Sequence, residues 1–289
     1  MSVPENNSPG GSLRDDDSDP PTLTIEVEKL SDLPKTSKQW SSVHLPVDIL
    51  LLTVQDSEFL ACHYYLRDAF RSYSQTLGYV YFGNMGDQDK PWKVALLRCS
   101  KGSSDPGGSQ TAVTNAITQL RPKVTFCVGF CKGLNHENTN LGDVVISCKL
   151  ATDAYRTPVS RDVGNLVRYA ADGWCPPLEC PEAFREVKVH CDGEILSCPG
   201  PVSPEQQRKL YPEAIAVEME GKGMVTAAHD LKSEWVVVKG VSRFADSSAN
   251  NLWETFASVM AASLVSNILS DPFVFEQWPH YGGMYGSVY

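Results

Sequence analysis

Short, continuous apolar runs separated by helix-length segments constrain the fold of this chain more than any other feature. The run "LPVDILLLTV" begins the series, and "KVTFCVGF", "AIAVEME" and "EWVVVKGVS" continue it. Runs of this kind are typical of parallel strands that are buried on both faces. Helical patterns such as "SQTAVTNAITQL" and "GKGMVTAAHDL" lie between them. This alternation predicts one α/β domain, which we place at residues 45–270.

Other segments complete the predicted alternation of strands and helices. Strand patterns occur at "YVYFG", "WKVALLRCS", "DVVISCKL" and "KVHCDGEIL". Helical patterns occur at "EFLACHYYLRDAF", near residues 161–171 and at "NLWETFASVMAASLVSNIL". Crossover connections of these lengths suit a sheet that is largely parallel.

Charge and cysteine content exclude some classes of partner. The net charge of -10 and a pI near 5.1 argue against nucleic-acid binding, which requires a basic face. The nine cysteines form no disulfide framework or metal-site spacing, so we expect reduced thiols and no metal or other cofactor. No apolar run reaches membrane-spanning length, and we expect a soluble, cytoplasmic protein without membrane contact.

The two ends of the chain differ in composition from the body. Residues 1–40 are rich in Pro, Ser and acidic residues, which predicts a disordered acidic leader. Residues 271–289 carry many aromatic residues in "FVFEQWPHYGGMYGSVY". Such a tail is expected to pack on the body or on a partner subunit.

The stretch "AIAVEMEGKGM" places two acidic residues, Glu218 and Glu220, at the end of an apolar run. Side chains two residues apart on a strand point to the same face, and ligands of open α/β sheets bind at the carboxyl ends of strands. A carboxylate there can accept hydrogen bonds from the two hydroxyls of a ribose. The alternative is a pair of glutamates at a solvated strand end.

Two further strands also end in polar residues. "DILLLTVQDSEFL" leads into Asp56 and Glu58, and "VVVKGVSRFADSS" leads into Arg243 and Asp246. In addition, "FCVGFCKGLNHENTNLGDVVIS" joins two strands through a glycine-bounded turn. We expect these strand ends to meet at one edge of the sheet.

Together these elements resemble the nucleoside phosphorylase and nucleosidase superfamily. "AVEMEGKGM" is similar to the VEMEAxG element of that family, and "GFCKGLN…LGDVVIS" to its GxAGGL…GDVVVS element. The resemblance covers about residues 45–270. It implies a three-layer α/β/α sandwich around a mixed, partly closed sheet, in a protein that forms homo-oligomers.

The resemblance also assigns roles to residues that match the motifs of the family. Glu220 matches the glutamate that binds the ribose hydroxyls, Met219 the methionine that packs on the sugar, and Glu218 lies in the same pocket. The base site of the family falls on Ile195 and Leu196 of "GEILS". Its phosphate loop falls near the residues of "DPGGSQT", namely Gly107, Gly108, Ser109 and Thr111.

The turn after the first strand favours hydrolysis over phosphorolysis. Bacterial phosphorylases of this family carry an arginine-containing turn there, whereas this chain has "TVQDSE". Glu58 falls on the position of the glutamate that activates water in the nucleosidases, and a carboxylate can take a proton from water. Asp56 and Glu58 can also act as caps of the next helix, and the two roles are compatible.

The last strand departs from the family pattern. Arg243 stands where the family has the aspartate that shares a proton with the purine, and arginine is a poor proton donor. Asp246 therefore takes over the acid role, or Arg243 binds the base and stabilises its negative charge. A salt bridge between Arg243 and Asp246 is a third reading.

The segment "RFADSSANNLWETFA" is most similar to nucleotide-cleaving nucleosidase domains of immune-effector-type proteins. This resemblance implies a nucleosidase acting on adenine nucleotides such as ATP or AMP, with release of adenine and ribose phosphate. Basic residues near predicted strand ends are candidates to bind the phosphates, namely Lys101, Lys132, Arg156 and Arg243. The alternatives are a purine nucleoside phosphorylase and a non-catalytic nucleotide-binding protein.

Overall fold

A mixed sheet of twelve strands forms the centre of the structure, a computed structural model that describes residues 19–183, 186–198, 203–247 and 251–283. The strands are β1 (Ile49–Thr53), β2 (Arg67–Ser74), β3 (Gly78–Met85), β4 (Trp92–Arg98), β5 (Val124–Gly133), β6 (Val144–Ile146), β7 (Lys149–Ala151), β8 (Arg156–Pro158), β9 (Val189–His190), β10 (Glu194–Ser197), β11 (Ala214–Glu218) and β12 (Glu234–Phe244). The helices are α1 (Asp56–Tyr64), α2 (Ser109–Leu120), α3 (Arg161–Arg168), α4 (Pro204–Leu210), α5 (Gly221–Leu231) and α6 (Asn251–Ile268).

Strand β5 is the hub of the sheet because it pairs with three other strands. Its first part lies between β1 and β12 and is parallel to both. Near its end, Lys132 and Gly133 pair with antiparallel β11 on the edge that β1 has left, while β12 continues along the other edge. The sheet therefore divides into three branches, β1-β4-β3-β2, β11-β10-β7-β8 and β12-β6-β9.

Helices cover both faces of this sheet. Helix α1 packs against α6 and α2 against α5, and α6 lies along β5 and β12. Every residue of β1 is buried, as its uninterrupted apolar sequence predicts for a strand between two helical layers. The architecture is the three-layer α/β/α sandwich that the sequence implied, and its mixed sheet is largely open.

Two segments that the sequence predicted as single strands are each divided between branches of the sheet. "DVVISCKL" forms β6, which pairs with β12, and β7, which pairs with β10. "KVHCDGEIL" forms β9, which pairs with β6, and β10, which pairs with β11. The local sequence does not reveal such a change of partner, because strand pairing is decided by residues far away in the chain.

The helix predicted for "EFLACHYYLRDAF" ends early. Helix α1 stops at Tyr64, and residues from Arg67 onward form β2, which pairs antiparallel to β3. The aromatic rings of Phe70 and Phe82 stack across this pair, with centroids 5.5 Å apart. Cross-strand pairing therefore overrides the helical spacing of the local sequence.

The ends of the described chain lie against the body. Within the predicted leader, residues 1–18 lie outside the described residues, while Leu33 is buried and the backbone N–H of Thr24 donates to Pro177. In the aromatic tail Phe275 is fully buried, with its ring 5.5 Å from that of Trp92. Residues 284–289 of the tail also lie outside the described residues.

No helix in the described part of the chain combines the length and apolar character needed to cross a bilayer. None of the cysteines, which all lie within the described residues, forms a disulfide.

Candidate active site

The candidate site is a cleft of about 200 Å³ at the point where β5 changes partner. Strand β1 pairs with β5 as far as Cys127, and β11 begins to pair at Lys132, so this edge of β5 is open between them. The cleft lies at this opening, where strand ends converge. It is lined by Val54, Gln55, Glu58, Lys101, Phe130, Cys131, Lys132, Val217, Glu218, Met219, Glu220, Arg243 and Glu254.

Glu58 fills the opening between β1 and β11. One carboxylate oxygen accepts the backbone N–H groups of Val54 and Gln55 at 2.7 and 2.9 Å, and the other accepts that of Phe130 at 3.0 Å. With Gln55 it forms a capping box at the start of α1. The predicted helix-capping role of Glu58 is therefore present, and the same carboxylate lines the cleft.

Lys239, which the sequence analysis missed, lies beside Glu58. Its ammonium is 3.5 Å from the Glu58 carboxylate and is fully buried, with no hydrogen-bond partner among the described residues. Burial acts to lower the pKa of Lys239, but Cys127, Glu58, Glu220 and Glu218 outweigh it and raise that pKa well above its usual range. A single lysine inside "VVVKGVS" was the available signal, since a charge in a buried strand requires a partner.

Gly129 makes room for this carboxylate. A Cβ atom at this position would overlap the Glu58 side chain. Strand β5 therefore needs glycine there, and the Gly in "CVGF" was a sequence signal for a close approach.

The two glutamates of "AVEME" both reach the cleft, but not by strand alternation. Strand β11 ends at Glu218, whose carboxylate turns back to accept the backbone N–H groups of Glu220 and Gly221 at 2.8 Å. Glu220 is the N-cap residue of α5. They were expected to share one face unless the strand ended there, and the strand does end at Glu218, because the chain turns into a helix at Glu220. Glu218 stabilises the helix start, while Glu220 faces the cleft.

Glu220 is the more perturbed of the two carboxyl groups. Burial raises the pKa of Glu220 to about 7, with Lys239 opposing the shift and Glu218 and Glu58 adding to it. Among the described residues, its side chain accepts a hydrogen bond from the backbone N–H of Gly102 at 3.2 Å. A carboxylate with free acceptor positions in a cleft is suited to bind a diol.

The segment predicted as a phosphate loop lies next to Glu220, but its side chains do not point into the cleft as lining residues. Ser109 is fully buried and donates to the backbone carbonyl of Glu220 at 2.5 Å. Thr111 is exposed on α2 and does not line the cleft. The positive φ of Gly107 shapes the turn before α2. The loop therefore supports α5 through Ser109, and neither Ser109 nor Thr111 is among the residues that line the cleft.

Three basic side chains converge at the cleft. Lys101, Lys132 and Arg243 line it, and Lys132 is the cross-strand neighbour of Arg243. Burial lowers the pKa of Lys132, and the charges of Arg243 and Lys101 lower it further. Three positive charges this close together repel each other, and an anionic ligand bound among them would relieve that repulsion.

Four other predicted site residues lie elsewhere. Asp246 is in the turn after β12, half exposed and ion-paired with His136 at 3.6 Å and Arg208 at 3.5 Å, so it does not line the cleft as predicted for a catalytic acid. Arg156 pairs with Glu194 at 3.5 Å. Both predicted base-site residues, Ile195 and Leu196, are fully buried in β10, where they pack in the core.

Arg243 pairs with Glu254, a residue that was not predicted to belong to the site. Its guanidinium is 3.4 Å from the carboxylate of Glu254 on α6, and both side chains are about four-fifths buried, with exposures of 21% and 22%. The reading of an Arg243–Asp246 salt bridge is replaced by this pair, because Asp246 points to Arg208 and His136.

The cleft thus combines the Glu58 carboxylate, which lies against Lys239, the Glu220 carboxylate, and a basic rim formed by Lys101, Lys132 and Arg243. Glu58 can accept a proton from a water molecule in the cleft, and Glu220 can accept hydrogen bonds from hydroxyl groups. The basic rim can hold phosphate groups. Such a combination suits hydrolysis at the anomeric carbon of a phosphorylated sugar.

Comparison with known proteins gives a family and several relatives. A sequence profile described as the Phosphorylase superfamily matches residues 69–269. A death domain-containing ATP nucleosidase of Amphimedon queenslandica is 32% identical over 227 residues, which are 66% of this chain and 42% of that protein. The chain therefore spans less than half of that relative. A 5′-methylthioadenosine/S-adenosylhomocysteine nucleosidase of Pseudoalteromonas translucida is 26% identical over 175 residues, 56% of this chain and 74% of that protein.

Solved structures share the fold at low sequence identity. A 5′-methylthioadenosine/S-adenosylhomocysteine nucleosidase of Neisseria meningitidis, in complex with methylthio-immucillin-A, matches with a TM-score of 0.63 and 19% identity, over 77% of this chain and 98% of that one. A futalosine hydrolase of Helicobacter pylori matches with a TM-score of 0.60 and 16% identity, over 77% and 97%. The family profile, the mixed α/β/α sandwich and the cleft at β5 lead to one conclusion. This chain belongs to the phosphorylase superfamily.

Proposed function

We propose that this protein is a nucleosidase that hydrolyses the N-glycosidic bond of purine nucleotides, with adenine nucleotides such as ATP or AMP as substrates. Water attacks the anomeric carbon, the bond to the base breaks, and the base leaves with the electron pair. One proton of the water ends on the base and the other remains on the new anomeric hydroxyl. The products are adenine and the corresponding ribose phosphate.

The observation that carries this proposal is the position of Glu58 against Lys239 in the opening between β1 and β11. A buried carboxylate in this place repels an attacking phosphate ion but can accept a proton from water. The Lys239 ammonium, 3.5 Å from the Glu58 carboxylate, holds that carboxylate in place beside the cleft. This arrangement favours water over phosphate as the nucleophile.

The walls of the cleft supply binding of the nucleotide. Glu220, with Met219 beside it, binds the ribose hydroxyls, as the carboxylate has free acceptor positions. Lys101 is adjacent to Gly102, the residue that donates to Glu220, so it lies beside the ribose subsite. Lys101 is therefore placed to bind phosphates attached to that ribose, whereas Lys132 neighbours Arg243 across the sheet.

The names of the relatives support adenine as the base. The relative in Amphimedon queenslandica is described as an ATP nucleosidase, and that in Pseudoalteromonas translucida acts on two adenine-containing compounds. The basic rim distinguishes nucleotides from uncharged nucleosides, because only nucleotides carry groups that satisfy it.

The test is chromatographic detection of free base from ATP, AMP, adenosine, GTP and inosine, with and without inorganic phosphate. We expect adenine from the adenine nucleotides at a rate that does not depend on phosphate, and slower release from adenosine. Formation of ribose 1-phosphate would identify a phosphorylase instead. Binding of nucleotide with no release of base from any member of the panel would identify a non-catalytic protein.

A further inference from the structure

We propose that the Arg243–Glu254 pair reads the N7 and N6 edge of adenine, with Arg243 donating to N7 and Glu254 accepting from the exocyclic amine. Glu254 then determines that adenine is accepted and guanine or hypoxanthine is rejected. This inference rests on the proposed nucleosidase function and assigns the base subsite of the same cleft.

The geometry supplies a donor and an acceptor side by side. Arg243 is the penultimate residue of β12 and Glu254 lies on α6, and both line the cleft with their charged groups 3.4 Å apart. The contact is long for a hydrogen bond, so it leaves capacity for a ligand on both groups. Arginine carries five N–H donors, and a carboxylate has about four acceptor positions.

This pattern matches one purine and not the other. Adenine presents an acceptor at N7 next to a donor at N6, whereas guanine presents two acceptors at N7 and O6. The amide of Asn or Gln reads adenine in proteins by offering one donor and one acceptor to this edge. The Arg243–Glu254 pair offers the same two functions. Against guanine, the carboxylate of Glu254 would face the O6 acceptor without a proton between them.

The position of the pair within the cleft favours a base over a phosphate. Lys101 lies beside Gly102 and Glu220, which mark the ribose subsite. Arg243, in contrast, lies on β12 and is paired with the carboxylate of Glu254. A carboxylate beside the guanidinium would repel a phosphate group. The phosphate groups are therefore expected near Lys101, and the base near Arg243 and Glu254.

The pair also bears on departure of the base. The electron pair of the broken glycosidic bond leaves with adenine, and negative charge develops on its five-membered ring. A guanidinium donating to N7 stabilises that charge without transferring a proton. Arg243 can therefore assist departure of the base although it stands where the family has an aspartate. Adenine then takes up a proton from the solvent, and the proton that Glu58 accepted from the attacking water returns to the solvent, so the overall proton balance is kept.

The experiment compares the wild-type protein with Glu254→Gln and with Asp246→Asn. Asp246→Asn is the matched control, since it also converts a carboxylate to an amide but lies outside the cleft. The readout is the ratio of kcat/KM for ATP to that for GTP. A correct bidentate contact discriminates between bases by about tenfold to hundredfold. We expect Glu254→Gln to lose discrimination of about that size, because its amide can turn an N–H toward O6, whereas Asp246→Asn keeps the wild-type ratio.

A second measurement separates this inference from the proposed function. Isothermal titration calorimetry of free adenine and free hypoxanthine reports base recognition without catalysis. Tighter binding of adenine that is lost in Glu254→Gln would support the inference, even if no nucleotide were cleaved. An unchanged ATP to GTP ratio in an active Glu254→Gln protein, or equal affinity of the wild type for the two bases, would overturn it.

Discussion

The substitution Glu220→Gln should stabilise the protein while it impairs function. Glu220 is buried, and its pKa is raised from its usual 4.5 to about 7. Between these values the unfolded chain releases the proton while the folded protein keeps it. The free energy of unfolding therefore falls as pH rises through this window, and the full loss is present above pH 7. Glutamine does not ionise, so it escapes this loss while keeping the oxygen that accepts from Gly102.

The magnitude follows from the size of the pKa change. Each pKa unit corresponds to about 1.4 kcal/mol, so ionised Glu220 costs on the order of 3 kcal/mol at pH 8. At pH 5 most of this cost is absent, because the folded protein retains the proton. The stability advantage of Glu220→Gln over the wild type should therefore grow by about 2.5 kcal/mol between pH 5 and pH 8.

Urea unfolding followed by tryptophan fluorescence at pH 5, 6, 7 and 8 measures this difference. Glu137→Gln, a change at an exposed glutamate, is the control and should follow the wild type at every pH. Turnover of the nucleotide by Glu220→Gln should fall about tenfold to hundredfold, since hydrogen bonds to a charged acceptor contribute about 1.5–3 kcal/mol. A difference between Glu220→Gln and wild type that does not change with pH would refute the reasoning.

Three further substitutions test the remaining geometry. Lys239→Met leaves the buried charge of Glu58 without its partner and should lower the free energy of unfolding by about 3–5 kcal/mol, measured by urea titration; a loss under 1 kcal/mol would show that Glu58 is compensated elsewhere. Asp246→Asn should keep kcat within about twofold of the wild type, because general acid catalysis, typically about 10²–10⁴-fold, does not pass through this residue; a larger drop would restore it as the catalytic acid. Gly129→Ala should displace Glu58 and abolish turnover measured by base release, and an active variant would show that Glu58 is not needed where the structure places it.

The sequence predicted the layers of the fold well, because β1 is buried along its whole length and shows an uninterrupted apolar run, and β12 is mostly apolar and mostly buried. It failed where long-range pairing decides the outcome. The break between β6 and β7 depends on two different partner strands, and the strand conformation of β2 depends on its pairing with β3. No local pattern carries this information.

Residues of the site were predicted where a motif fixes the local backbone, and missed where the third dimension is needed. Glu58 and Glu220 reach the cleft because each sits at the junction of a strand and a helix. Asp246 was misplaced because a turn of only a few residues directs it to Arg208 instead of the cleft. Glu254 was missed because it approaches Arg243 from another element.

The opening in the sheet has a consequence for how related sequences should be interpreted. Glu58 substitutes for a missing strand by accepting the backbone N–H of Phe130, so selection for folding alone would preserve an acceptor at this position. A relative that has abandoned catalysis would therefore be expected to keep it, and its presence is poor evidence of activity. Glu220, in contrast, accepts a hydrogen bond from the backbone N–H of Gly102, and its burial makes the charged form of the carboxyl group unfavourable. In relatives that no longer bind the substrate, Glu220 should therefore be replaced before Glu58. The presence of Glu220 is the better indicator that a relative is catalytically active.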